Sequence, residues 1–349
     1  MAYPASELVI DPVLIRKYDV SGPRYTSYPT ADRFVEAFGE ADCRHWLGKR
    51  NIGGINQPLS IYVHLPFCDV QKAVHRIQSE AETRRVIDEA RACGFRSVNL
   101  DLIYGLPKQS LDSFSKTLDR VLEIAPERIA LYSYAHLPRA FKPQRRISEA
   151  DLPSAEAKLQ ILTLAIGRLT RAGYLYIGMD HFAKPDDELA LAQSQGRLQR
   201  NFQGYSTHPE SDMLGFGISA IGRVGPTYFQ NLKTLEEYYD ALDAGRQPVW
   251  RGLELTQDDL VRRAVIQALI CNFRLSVESI EISYLIDFRR YFAEELEDLK
   301  RLADDGLVEL QPDWIVVTPR GRLIVRAVCM TFDRYLRASL QRAGYSRVI

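Results

Sequence analysis

Between residues 60 and 135 the sequence alternates between a two-residue and a 3.6-residue hydrophobic period, which restricts this part of the chain to an α/β fold. Ser60 to His64 is a short run of β-type residues. Ser79, with Glu82 three positions on, has the form of a reciprocal N-terminal cap. The helix it opens carries Val86, Ile87, Ala90 and Cys93 along one side and is stopped by Gly94. Ser97 to Tyr104 then reads as a strand closed by Gly105-Leu106-Pro107, and Phe114, Leu118, Val121 and Leu122 mark the next helix. Arg128 to Ala135 is the following strand. Strands joined through helices pair in parallel, with right-handed crossovers.

Side chains alternate along a strand, so Asn99, Asp101 and Ile103 share one side while Val98, Leu100 and Leu102 share the other. Polar residues on one side of a buried parallel strand call for an internal hydrogen-bond network or a ligand. The sequence admits both.

The flanking regions differ in character. Ser21-Gly22-Pro23-Arg24-Tyr25-Thr26-Ser27-Tyr28-Pro29-Thr30 excludes a regular helix and predicts an extended arm. That arm is either a surface loop packed by Tyr25 and Tyr28 or a lid over a site. Ser154 to Ala172 is a strong helix, with Leu159, Leu162, Ile166 and Leu169 in register and Gly173 beyond its end. The glycines at 215, 217, 222 and 225 form neither a dinucleotide fingerprint nor a phosphate loop, and are read as places where backbones approach closely. From about residue 257 helices dominate, and Gly306 to Leu310 with Ile315 to Thr318 form a hairpin around Gln311-Pro312-Asp313, as in a winged-helix module. The expected division is an arm or lid over 1–59, a barrel core over 60–225 and a mainly helical domain over 226–349.

Lysine plus arginine and aspartate plus glutamate balance at 45 each, which argues against nucleic acid or an anionic membrane as partner. The N-terminus lacks a basic start followed by an apolar run, and no segment approaches the roughly 18 apolar residues of a membrane span. A cytoplasmic monomer is expected. The five cysteines, Cys43, Cys68, Cys93, Cys271 and Cys329, are scattered and show neither disulfide nor zinc spacing.

Several segments together carry a family resemblance: Tyr18 to Thr30, Ser60 to Cys68, Asn99 to Gln109, Tyr134 to Pro138, Gly178 to Ala192, Arg200 to Tyr205, Cys271 to Leu275 and Tyr345 to Ile349. Through them the chain resembles the oxygen-independent coproporphyrinogen III dehydrogenases of the radical S-adenosylmethionine superfamily. The resemblance implies an α/β fold, a partial (β/α) barrel of the TIM type, followed by a helical, winged-helix-like C-terminal domain. It implies oxidative decarboxylation of two propionates of coproporphyrinogen III to vinyls in haem biosynthesis. A [4Fe-4S] cluster, two molecules of S-adenosylmethionine and an electron donor would serve that reaction, because no amino-acid side chain makes the required radical.

The resemblance breaks at one place. Such a cluster is held by three thiolates spaced C-x3-C-x2-C, yet the fourth and seventh positions after Cys68 are Lys72 and His75. Val70-Gln71-Lys72 resembles the segment entering the family's fourth barrel helix, so the second to fourth strands are missing. At about 30 residues per βα unit the gap is on the order of a hundred residues. It begins after a strand and ends before a helix, leaving a βαβ connection sterically possible; otherwise the first strand must find an unaccustomed neighbour or present an open edge. Cys93, on the apolar side of its helix, and Cys271 and Cys329, near the C-terminus, are not expected to complete a cluster.

By resemblance, Cys68 is one cluster ligand, Tyr62 and Ile221 contact the first S-adenosylmethionine, and Arg76, Asp101 and Ala135 contact the second. Ordinary packing, surface or hydrogen-bonding roles are the alternatives for each. The four substrate carboxylates suit arginine's forked donors, and Arg24, Arg274 and Arg347 lie in matching segments. The chain is thus read as a family member whose own catalytic competence is lost, or as a non-catalytic relic that binds porphyrinogen, haem or S-adenosylmethionine.

Overall fold

In a computed structural model, the structure describes residues 8–50, 59–63, 79–139, 142–207 and 211–338. The helix that opens the second half of the gap-flanking region runs over Glu80–Ala92, as the sequence predicts. Ser79 Oγ accepts from Glu82 N–H and Ser79 N–H donates to the Glu82 carboxylate at 2.9 Å, so each residue satisfies an otherwise orphaned group of the first turn. Two further helices, Leu111–Ile124 and Ala155–Arg171, begin at Ser110 and Ser154 and turn Phe114, Leu118 and Val121, and Leu162, Ile166 and Leu169, into the core.

The strand Asn99–Tyr104 pairs in parallel with Arg128–Ser133, the crossover expected from the strand-helix-strand order. That sheet continues antiparallel through His181–Ala183 and Leu175–Gly178. The first strand, Leu59–Val63, belongs elsewhere. It pairs in parallel with Asp212–Phe216, at the edge of a five-stranded sheet completed by Ile221–Val224, Thr227–Asn231 and Val249–Glu254. No connection across the gap forms a βαβ unit: among the described residues, Leu59–Val63 and Asn99–Tyr104 are edge strands of two different sheets.

This separation corrects two expectations. Asn99, Asp101 and Ile103 do not face a closed interior; all three are exposed, and Asn99 Nδ2 donates to Asp101 Oδ1 at 2.6 Å. Nor does the helix Glu80–Ala92 bury its whole apolar side. Ile87 is buried, while Val86 is 59% exposed and Cys93 ends the helix in the open.

The N-terminal arm is not a surface loop. Tyr25 and Tyr28 are buried, and the Tyr25 hydroxyl donates to Asp333 Oδ2 at 2.9 Å while the Tyr28 hydroxyl accepts from Arg334 N–H. The buried Arg326 guanidinium donates to the carbonyls of Gly22 and Pro23, so the arm's backbone acceptors are satisfied by the C-terminal helix Val325–Thr331. Towards the C-terminus, the predicted hairpin is Val308–Leu310 with Trp314–Val317. A third strand, Arg274–Ser276, pairs with its other side, and helices Val277–Tyr284 and Ala293–Asp304 flank the sheet, completing the winged-helix-like arrangement. A single apolar cluster extends from Leu14 through Leu131 and Leu169 to Phe332 and joins this part to the four-stranded sheet.

Candidate functional site

The hairpin between Leu175–Gly178 and His181–Ala183 turns through Met179 and Asp180, with φ of 44° and 71°. Side chains other than glycine rarely hold this left-handed conformation, which costs on the order of 1–3 kcal/mol and persists where the surroundings fix it. Gly178, just before the turn, has φ of 121°, and a Cβ there would lie 2.8 Å from the Tyr205 hydroxyl. The turn therefore sits hard against the hairpin Gln199–Asn201 and Gly204–Ser206.

What the turn presents is a cluster of charge and aromatic rings. Burial raises the Asp180 carboxyl above its ordinary range, and the guanidiniums of Arg24, Arg200 and Arg326 oppose that rise. His181 donates from Nδ1 to the Met179 carbonyl at 2.6 Å. Its ring is pushed down to about 4, first by burial and then by Arg200, so it is neutral at physiological pH. The rings of Tyr132 and Tyr205 stand edge-on to His181, with centroids at 5.9 and 5.3 Å, and the Arg200 guanidinium lies 4.9 Å over Tyr205. The Asp180 carboxyl is thus under the electrostatic influence of guanidiniums drawn from the arm, a hairpin and the C-terminal helix.

The residues anticipated as cofactor contacts divide between the two sheets. The backbone of Tyr62 lies opposite Gly215, and a Cβ on Gly215 would sit 2.8 Å from the Ile221 carbonyl oxygen, so Tyr62 and Ile221 flank one glycine. Ile221 packs in a small cluster with Phe34, Tyr228 and Phe202. Asp101 belongs to the other sheet and Ala135 lies two residues beyond the strand Arg128–Ser133; Asp101 acts electrostatically on Tyr132 and the Ala135 carbonyl accepts from Gln144 Nε2 at 3.1 Å. Of the anticipated arginines, Arg24 acts electrostatically on Asp180, whereas Arg274 lies with its guanidinium 5.7 Å over Trp314. Cys68, Arg76 and Arg347 lie outside the described residues. Asp180, His181, Arg200 and Arg326 were assigned no role from sequence; the signal available was a Met-Asp pair at a turn that favours Asn-Gly.

The remaining cysteines do not fit an iron-sulfur cluster, whose ligands must be thiolates. Burial pushes the thiol of Cys43 up to about 11 and that of Cys271 up to about 12, and holds Cys329 well above the usual range. Cys43 packs with Phe38, Val224 and Phe229, while Cys271 and Cys329 lie in the main core and Cys93 is exposed. Four scattered sulfurs, three of them protonated and enclosed, supply no cubane ligand set.

Comparison with known proteins places these elements in context. Residues 255–324 match the model of the HemN C-terminal domain. The oxygen-independent coproporphyrinogen III oxidase of Pseudomonas aeruginosa is 41% identical over 456 aligned positions, which span 97% of this chain and 98% of the relative. The Escherichia coli protein of the same name is 38% identical over 453 positions. Since 456 positions exceed the chain's 349 residues, on the order of a hundred positions of the relative face a gap here, about three βα units. The Synechocystis relative is 49% identical over 284 positions covering 80% of this chain and 61% of the relative. Among solved structures, one described as coproporphyrinogen III oxidase (HemN) from Escherichia coli, a radical SAM enzyme, superposes with a TM-score of 0.87 at 36% identity, covering 94% of this chain and all of that one.

Proposed function

The chain belongs to the oxygen-independent coproporphyrinogen III oxidase family of radical S-adenosylmethionine enzymes, and from that premise we propose that this polypeptide keeps the family's substrate-handling scaffold while lacking the metal centre of its reaction. The reading is carried by one observation. The strands Leu59–Val63 and Asn99–Tyr104 stand at the edges of two separate sheets, and the alignment with the Pseudomonas relative is longer than this chain by on the order of a hundred positions, which we assign to the passage from Cys68 to Val70.

A cubane that keeps one iron open for S-adenosylmethionine needs three thiolates, and this segment offers one. With no cluster there is no reductive cleavage of the sulfonium, and the conversion of two propionates of coproporphyrinogen III to vinyls does not proceed on this chain. What remains are the positions around the missing centre. Tyr62 and Ile221 lie on one sheet, Asp101 on the other with Ala135 just beyond its second strand, and with Arg76 they are the contacts we assign to S-adenosylmethionine; Arg24, which acts electrostatically on Asp180, is together with Arg274 and Arg347 a candidate for a substrate carboxylate. Among the described residues no helix is long and apolar enough to cross a membrane, and we place the chain in the cytoplasm as a monomer.

The test is repair. Inserting the Pseudomonas relative's omitted segment after Cys68 should restore reductant- and S-adenosylmethionine-dependent formation of protoporphyrinogen, while the unrepaired chain under the same anaerobic conditions yields none. Activity of the unrepaired chain, or continued failure of a well-folded repaired chain that binds a full cluster, contradicts the proposal.

A further inference from the structure

Arg24 is the exposed member of an otherwise enclosed run: Gly22, Pro23, Tyr25, Ser27, Tyr28 and Pro29 are all buried around it. The backbone on both sides of it is fastened to the C-terminal helices. Before it, the carbonyls of Gly22 and Pro23 accept from the buried Arg326 guanidinium, the second at 3.0 Å. After it, Tyr25 is 1% exposed and holds φ of 47°, a left-handed conformation that a side chain of this size rarely keeps unless its surroundings fix it. Asp333 fixes it. Its Oδ2 accepts from the Tyr25 hydroxyl at 2.9 Å, while its Oδ1 accepts from the N–H groups of Tyr335 and Leu336 at 2.9 and 3.2 Å and so starts the helix Arg334–Ala338. The Tyr28 hydroxyl accepts from Arg334 N–H in the same turn.

This anchoring works against a charge repulsion. Burial first and Arg24 second depress the Arg326 guanidinium to about 10, and the opposing effects of Asp180, Tyr25 and Asp19 are each smaller. An anion beside Arg24 would relieve that repulsion, and a guanidinium whose backbone is already fixed loses less freedom on binding one. We propose that Tyr25 and Asp333 are positioning residues for Arg24: their hydrogen bond, together with the Arg326 clamp, holds the arm so that the exposed Arg24 guanidinium is presented to an anionic ligand. A carboxylate is the anion that arginine's planar fork matches among those the family's substrate carries. Its identification with a propionate of the tetrapyrrole rests on the substrate-handling reading above; the coupling of Tyr25 and Asp333 to Arg24 does not.

Calorimetric titration of the purified chain with coproporphyrin III and, separately, with citrate tests that coupling through a double-mutant cycle. Arg24→Gln should weaken binding about 10- to 100-fold, as loss of a charge-assisted contact does. Tyr25→Phe, which keeps the buried ring, should weaken it about 3- to 10-fold in the parent and leave it unchanged once Arg24 is replaced. Its effect on the unfolding midpoint should be the same in both backgrounds, so a merely structural role does not reproduce the pattern. Asp333→Asn, as a second variant that still unfolds cooperatively, should behave as Tyr25→Phe does. If coproporphyrin III shows this dependence, the proposal holds and the ligand arm is a propionate. If citrate alone shows it, the positioning stands and the substrate-handling reading fails. If Tyr25→Phe changes affinity equally with and without Arg24, or leaves it unchanged in both, or if neither probe is bound, the proposal is overturned.

Discussion

Two helices of similar length differ in how much they bury. Glu80–Ala92, beside the gap, buries one residue, Ile87, whereas Gln257–Asn272, in the C-terminal part, buries seven, from Asp259 to Cys271. Around the first, Val86 is 59% and Phe95 66% exposed, and the neighbouring strand leaves Ile103 in the open. Around the second, Phe292 is fully buried against Phe288, Tyr291 and Phe332. Both helices have the caps that start them, so local sequence alone does not account for the contrast. What differs is the cover: the C-terminal helix packs on several neighbouring elements, and Glu80–Ala92 leads into Asn99–Tyr104, which is an edge strand of its sheet among the described residues.

The sharpest test of that contrast is cavity formation in the complete region. Phe292→Ala should cost about 3–5 kcal/mol in urea denaturation. A loss under about 1 kcal/mol would mean that the C-terminal core is no better packed than the gap side.

A pH effect comes next and belongs to the hairpin whose turn carries Asp180. His181 has a folded-state value of about 4 against an ordinary 6.5, so its stabilising contribution is complete above about pH 6.5 and declines as the pH falls towards 4. The decline amounts to about 3 kcal/mol, and His181→Gln should remove that part of the pH dependence. Unfolding curves that lose stability equally in parent and variant between pH 6.5 and 4 would assign the effect to another group.

How much of this was legible beforehand varies with the type of contact. The helix starting at Ser79, the paired strands Asn99–Tyr104 and Arg128–Ser133 and the hairpin around Gln311 follow from capping, periodicity and turn residues close together in the chain. The fate of Leu59–Val63 does not, because its partner Asp212–Phe216 lies about 150 residues downstream and no local pattern specifies a long-range pairing. The site divides in the same way. The loss of cluster ligands after Cys68 is a matter of spacing, whereas the electrostatic coupling of Asp180 to Arg24, Arg200 and Arg326 arises from tertiary packing of segments apart in the chain. The sequence indicates that Tyr25 and Tyr28 pack the arm but not against what, since their partners Asp333 and Arg334 lie some 300 residues away.

A smaller effect is expected where the arm meets that packing. Tyr25→Phe removes the donor to the buried Asp333 carboxylate and should cost about 1–3 kcal/mol, read from the denaturation midpoint. No change would show that the arm is not fastened there. Smallest of all, Phe95→Ser on the gap side should change stability by no more than about 0.5 kcal/mol while reducing concentration-dependent light scattering, because it removes exposed apolar surface and little packing. If it destabilised the chain as much as Phe292→Ala, the two regions would not differ as described.

The central claim concerns sulfur ligands, and one measurement reaches it directly: iron bound per chain after anaerobic reconstitution with iron and sulfide, with cleavage of S-adenosylmethionine followed in the same sample. The account predicts far less than one cluster per chain, no broad visible charge-transfer absorption and no cleavage. About four irons per chain together with 5′-deoxyadenosine formation would contradict it.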